Sequence, residues 1–221
     1  MGIDKSSLSL LLFKENELWV GTHHDGLISA DLEAKTAARI NPSVEGKEDL
    51  CDSWIQQLYK DETGIVWIAT GDGVSRYIPN MNNFNFIDYE SGKNIGLSSG
   101  EINDVSVDSE GMVWISTWNG GLNKYDHSRK KFTHYRHNNK KNSLPNDIVW
   151  ITYEDSEKRL WVGTYSGLSR FNKETGEFNT YKSNPANPYS LSHNNVSAIH
   201  QDASGNLWIG TWGGGINKFS P

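Results

Sequence analysis

The sequence predicts an all-β protein, a β-propeller of about five four-stranded blade repeats with a period of 47 residues and an incomplete last blade. Three observations carry that expectation. A tryptophan-centred pentapeptide returns on a fixed period, the segments around it alternate apolar and polar residues, and the composition is rich in aromatics and glycine: 9 Trp, 9 Tyr, 7 Phe and 21 Gly in 221 residues. Many rings, many glycines and a low mean hydropathy suit short strands joined by many turns, and the rings argue against a disordered chain.

The pentapeptide LWVGT at Leu18–Thr22 returns as VWIAT (Val66–Thr70), VWIST (Val113–Thr117), LWVGT (Leu160–Thr164) and LWIGT (Leu207–Thr211). Its tryptophans, Trp19, Trp67, Trp114, Trp161 and Trp208, stand 48, 47, 47 and 47 residues apart. They are expected to fill the core between blades, because one blade cannot bury both of its faces alone.

Each unit opens with a strand, as in Ile102–Val107, Ile148–Tyr153 and Val196–His200. A turn follows, opened by an acid six residues before the tryptophan: Asp61, Asp108, Asp155 and Asp202. An aspartate there bonds the backbone of its own turn, and Gly64, Gly111 and Gly205 supply a left-handed residue. Phe13 replaces the acid in the first unit, which should lack this cap, and Lys158 replaces the glycine in the fourth, whose turn should be strained or differently shaped. The tryptophan strand leads through a glycine-containing turn into GLNKY (Gly121–Tyr125), GLSRF (Gly167–Phe171) or GINKF (Gly215–Phe219), with the period-2 alternation of a half-buried strand. A fourth strand reads FTHY (Phe132–Tyr135) or FNTY (Phe178–Tyr181). The expected blades are 8–41, 50–90, 97–137, 144–183 and 191–221, within a single domain over 1–221. The last unit shows three strands. A closed five-bladed ring and a partial propeller completed by a second copy both fit, and an open arc of blades would expose apolar faces.

Composition narrows the function. The net charge is −6, and the lysines and arginines at Arg129–Lys131 and Lys140–Lys141 are separated by Asn and His, so no nucleic-acid groove is expected. The single cysteine, Cys51, allows no intrachain disulfide. The longest apolar run, Leu8–Phe13, is far short of a membrane span, and the N-terminal residues lack the basic region and apolar core of a signal peptide. Metal and cofactor sites are not expected: His134 and His137 would point to opposite faces of a strand, His23 and His24 are turn neighbours, and no phosphate loop precedes a helix. The carboxylates sit mainly at turn positions, and no acidic pair stands out as a glycosidase site.

The repeat DASGNLWIGTWGGGINKF (Asp202–Phe219), with FNTYKSNPANPYSLSHNNV (Phe178–Val196) of the preceding unit, resembles the two-component regulator propeller. The resemblance covers nearly the whole chain and is weakest over 1–7 and 36–48. It implies the periplasmic sensor region of a hybrid histidine kinase that responds to polysaccharides, a non-catalytic role, and more blades than five. No kinase part lies in this chain.

The residue after each pentapeptide threonine is His23, Gly71, Trp118, Tyr165 or Trp212, on the turn between second and third strands. In a propeller that turn shares its end of the blade with the inter-blade connections. Trp118, Tyr165 and Trp212, with His23 and Asn119 beside them, therefore either form a platform for sugar rings or pack over a neighbouring blade. Asn146, His193 and Asn194, with Asp147, Ser98, Ser99, Asp52 and Ser53, are polar partners from the inter-blade loops or ordinary turn formers. The expected partners are an oligosaccharide and a second copy meeting through blade faces. A protein-interaction propeller and a propeller lyase or glycosidase are the alternatives.

Overall fold

A computed structural model of the chain describes residues 7–40, 50–79, 83–87 and 96–221. Every regular element among them is a strand. The first blade is β1 (Ser7–Lys14), β2 (Glu17–Thr22), β3 (Leu27–Asp31) and β4 (Thr36–Ile40). The second is β5 (Ile55–Lys60), β6 (Val66–Thr70), β7 (Gly73–Ile78) and β8 (Asn83–Ile87). The third is β9 (Ile102–Val107), β10 (Val113–Thr117), β11 (Leu122–Asp126) and β12 (Lys131–Tyr135). The fourth is β13 (Val149–Glu154), β14 (Leu160–Thr164), β15 (Gly167–Phe171) and β16 (Phe178–Tyr181), and the fifth is β17 (Val196–Gln201), β18 (Leu207–Thr211) and β19 (Gly215–Phe219). Each blade is a separate antiparallel sheet with its strands in chain order, four-stranded in the first four blades and three-stranded in the fifth. The expected blade ends at 41 and 88–90, and residues 1–6, lie outside the described residues. The chain divides into two compact units, 1–105 and 106–221, the division falling inside β9.

The core of each unit lies between consecutive blades. In the first unit, Phe13, Trp19 and Leu27 of blade one pack with Ile55, Leu58, Ile68, Tyr77 and Phe84 of blade two. In the second, Trp114 and Leu122 of blade three pack with Val149, Val162, Phe171 and Phe178 of blade four, and Trp161 and Leu168 pack with Val196, Ile199, Leu207 and Ile209 of blade five. A tryptophan on one blade thus meets the following blade. Gly163 shows how close the approach is: a Cβ there would lie 2.8 Å from both the Val196 carbonyl oxygen and the Ile151 side chain. Trp208 departs from the expected pattern. It is 42% exposed, because no later blade covers it among the described residues.

The acid six residues before each tryptophan does two jobs. One oxygen of Asp155 accepts the backbone N–H of Glu157 and Arg159 at 3.0 and 2.9 Å, and the other accepts the Trp161 indole N–H at 2.8 Å. Asp61 with Trp67, Asp108 with Trp114 and Asp202 with Trp208 repeat the arrangement, with indole distances of 2.8, 2.8 and 2.9 Å. In the first blade, where Phe13 stands instead, that ring stacks on Trp19 at 4.4 Å. The indole turns to Glu17 at 2.9 Å, so the blade lacks the turn cap but not the indole acceptor. The Lys158 turn has the shape of its glycine counterparts. Lys158 adopts a φ of 62°, against 86°, 76° and 84° at Gly64, Gly111 and Gly205, and makes the same bond back to the acid's carbonyl. The expected strain is there without a change of shape.

Burial opposes the charge on Asp108 and Asp155, but their indole, cation and backbone partners outweigh it and hold both carboxyls below the usual range. Bonds from the Trp208 indole and the Asn206 amide hold Asp202 down to about 2. These groups bind fewer protons folded than unfolded. Their contribution to stability is complete above about pH 4 and lost as pH falls through their folded pKa values. Asp155→Ala, which orphans the Trp161 indole and two turn amides and leaves Arg159 with Glu157 alone, is expected to destabilise the protein by about 3 kcal/mol at neutral pH. It should also flatten the loss of stability between about pH 4 and 2, read from urea midpoints across that range. Lys158→Gly is expected to raise the urea midpoint by an amount worth about 1 kcal/mol, by removing the left-handed side chain.

Candidate functional site

The turn after each second strand is held by its threonine. The Thr164 hydroxyl donates to the Gly167 carbonyl at 2.9 Å and accepts the Ser166 N–H at 3.1 Å. Thr22, Thr70, Thr117 and Thr211 donate in the same way to Gly26, Gly73, Gly121 and Gly215. The residue after the threonine is then fixed by its own backbone. Tyr165 N–H bonds the Ile148 carbonyl at 3.1 Å and Trp212 N–H bonds the Asn195 carbonyl at 2.8 Å. Both acceptors directly precede the first strand of the blade, so the turn and the inter-blade loop share one end of it.

In the second unit this end carries a row of rings. Trp118, Tyr165 and Trp212 are 36%, 52% and 67% exposed. Trp118 and Trp212 are linked through a ring that the sequence reading missed, Trp150 on β13. Its centroid lies 5.1 Å from Trp118, edge to face, and 6.0 Å from Trp212. Pairing of β13 with β14 skips from Val149 opposite Thr164 to Ile151 opposite Gly163, so Trp150 is the extra residue of a β-bulge. Bulges re-aim a side chain locally. The same shift occurs at Gln56 in β5 and Ser197 in β17. The Trp150 indole N–H is buried without a protein acceptor, and the side-chain oxygen of Asn195, whose carbonyl holds the Trp212 N–H, is buried without a donor.

The polar candidates divide. Asn146 accepts the Ile148 N–H and donates to Ser166 at 3.1 Å, tying the loop to the turn. Asn194 accepts the Ser183 N–H at 2.7 Å, as Asp147 accepts that of His137. These side chains hold the loops. His193 is exposed and accepts the Asn195 N–H through Nδ1 at 3.1 Å. Asn119, exposed beside Trp118, takes a left-handed φ of 64°. His23 belongs to the first unit, half-buried, with its ring 5.4 Å from Trp54. Among the described residues no group of three or more His, Cys, Asp or Glu side chains is placed to hold a metal ion.

Three stretches, 96–119, 143–166 and 190–213, match the two component regulator propeller family. They contain Trp118 and Asn119, Asn146, Trp150 and Tyr165, and His193, Asn194 and Trp212. No curated protein matches the sequence. The fold is similar to the extracellular domains of two B. thetaiotaomicron proteins described as hybrid two component systems. For one the TM-score is 0.79 at 22% identity, over 100% of this chain and 28% of that one. For the other it is 0.70 at 22% identity, over 96% and 33%. The chain thus spans about a third of the length of those domains. It also resembles in fold a catalytically inactive virginiamycin B lyase from Staphylococcus aureus solved with quinupristin, with a TM-score of 0.67 at 14% identity over 100% of this chain and 73% of the lyase. No helix among the described residues is long and apolar enough to cross a membrane.

Proposed function

We propose that this chain is part of the extracellular or periplasmic sensor region of a two-component system, and that it binds an oligosaccharide without turning it over. The observation that carries the reading is the row Trp118, Trp150 and Trp212, held at the loop end of three successive blades, with Tyr165 exposed on the turn at the same end of blade four. Aromatic faces stack on the apolar faces of sugar rings, and rings held by turns and a bulge lose little freedom on binding. A sensor role fits the regulator repeats, which contain these residues. The likeness to the lyase is one of fold, and folds host many functions.

Titration with a panel of oligosaccharides, followed by tryptophan emission, tests this. A saturable change is expected with at least one of them, and Trp118→Ala/Trp212→Ala should weaken it at least about tenfold, the loss of two stacking rings. An unchanged spectrum across the panel would sink the sugar reading.

A second reading, association of copies through blade faces, is favoured by apolar side chains left open on the end blades: Leu10 and Leu12 on β1, Trp208 on β18 and Ile216 on β19. Leu10→Glu/Leu12→Glu should then shift the sedimentation coefficient of the protein to that of a smaller species. A wild type already monomeric at high concentration excludes it.

A further inference from the structure

Blade four places its cations differently from the other blades. In blades two, three and five the residue paired with the second-strand tryptophan is a cation that lies over the indole. Arg76 stands 5.8 Å from the Trp67 ring, Lys124 5.5 Å from Trp114 and Lys218 5.8 Å from Trp208. In blade four Arg170 is paired with Trp161, but Arg159 lies over that ring instead, at 6.0 Å. Arg159 is also bonded to Asp155 at 2.6 Å and to Glu157 at 3.0 Å. Ile65, Met112 and Asn206 hold its place in the corresponding turns of blades two, three and five. Arg170 is thereby released from the indole. Its side chain is exposed and makes no hydrogen bond or ion pair among the described residues.

Arg170 lines a cleft of about 650 Å³ at the turns that follow the first and third strands of blade four, the end away from Tyr165. Lys158 lines the same cleft from a position where three other turns have glycine, and its exposed ammonium also has no partner among the described residues. With Arg159 and Lys173 the lining carries four cations against two carboxylates, Glu174 and Glu177, on a chain whose net charge is −6. Lys173 is committed to Asp108, Glu110 and Glu154, so Lys158 and Arg170 are the cations left to a ligand. Blade one has a corresponding cleft, of about 490 Å³, with the opposite balance. Ser29, paired with Trp19, holds the place of Arg170 there. The lining lysine, Lys14, is bonded to Glu17 at 3.1 Å, and Asp31 adds a second acid. The cleft is thus a feature of the blade, and the positive charge is a feature of blade four.

We infer that the blade-four cleft is a binding site for a ligand bearing an oxyanion group: sulfate, phosphate or carboxylate. Arg170 offers a planar fork that pairs with two oxygens at once, and Lys158 adds a point charge on a flexible stem. The buried rings of Phe171 and Phe178 are part of the lining and leave less water there to screen those charges. The Asn142 amide, in the same lining, is a donor for a further oxygen. The site stands whether or not the Trp118–Trp150–Trp212 row binds sugar.

The probes are sodium sulfate, phosphate and glucuronate, each titrated into the isotope-labelled whole chain at constant ionic strength against chloride and followed by NMR. Saturable shifts of the Lys158, Arg159 and Arg170 amides are expected with at least one of the three, and the tightest of them identifies the group. Arg170→Gln should weaken that binding at least about tenfold with an unchanged urea midpoint. Lys158→Gly should weaken it at least about threefold while raising the midpoint, so that loss of binding is separated from loss of fold. Trp118→Ala/Trp212→Ala should leave the shifts intact, which separates this site from the sugar reading. Shifts that stay linear with all three anions, unchanged saturation in Arg170→Gln, or shifts centred on Lys140 and Lys141 would each overturn the inference.

Discussion

The rest of this structure depends on a carboxylate with two oxygens used for different ends. One oxygen closes a tight turn onto its own backbone, and the other orients the indole that fills the space before the next blade. A six-residue spacing sets both distances at once, which couples the shape of a hairpin to the packing of a sheet. In two blades a cation joins the same carboxylate. Arg159 meets Asp155 at 2.6 Å, and Lys173 reaches Asp108 at 3.0 Å while also holding Glu154 of the next blade at 2.6 Å. Burial works against the charge on Lys173, but the carboxylates of Glu154 and Asp108 outweigh it and raise its pKa. The first blade reaches the same indole orientation from Glu17, two residues away on the strand, and spends the vacated position on a stacked Phe13.

From that bracket the packing follows a fixed direction. In the second unit Trp114 and Trp161 each cover the following blade and are themselves covered by a ring of their own fourth strand, so the core there is built of successive mixed aromatic clusters. The glycine or small residue before the threonine lets the following strand come close, as Gly163 does for β17. The end of the blade with the turns then receives whatever rings the turns carry, at positions fixed by main-chain bonds to the inter-blade loops.

The period, the turn acids and the tryptophan strands were legible in the sequence because each recurs with its chemistry intact. What recurs identically can still be buried differently. Trp208 stands in the same pentapeptide pattern as Trp161, yet its exposure depends on a blade and a strand that no local pattern encodes. Trp150 was missed for a related reason. It occupies a bulge, and a bulge exists only in the pairing of two strands, so the residue appears in the sequence as one more apolar position of β13. The signal was available in comparison across repeats, since Gln56 and Ser197 at the equivalent positions are polar. The loop asparagines suit ligand contact and turn formation equally in the sequence, and in the structure Asn146 and Asn194 bond the chain itself. Lys158 was legible as a strained residue, but the turn around it is held firmly enough by Asp155 to keep its form.

The threonine lock has a consequence for how such a chain changes over time. Because the hydroxyl and the glycine carbonyl close the turn, the residue that follows the threonine contributes its backbone to the structure, and at Tyr165 and Trp212 its side chain stands largely exposed. That position holds histidine, glycine, tryptophan, tyrosine and tryptophan in the five blades, with a strand on either side in each. Duplication of a blade such as the fourth therefore copies an open mounting point along with the scaffold, whereas at Gly71 the space is closed by Asp52 and Trp54. Drift at that one codon alters the exposed surface while the interior stays under constant selection, so new recognition properties can arise in such arrays without passing through unstable intermediates.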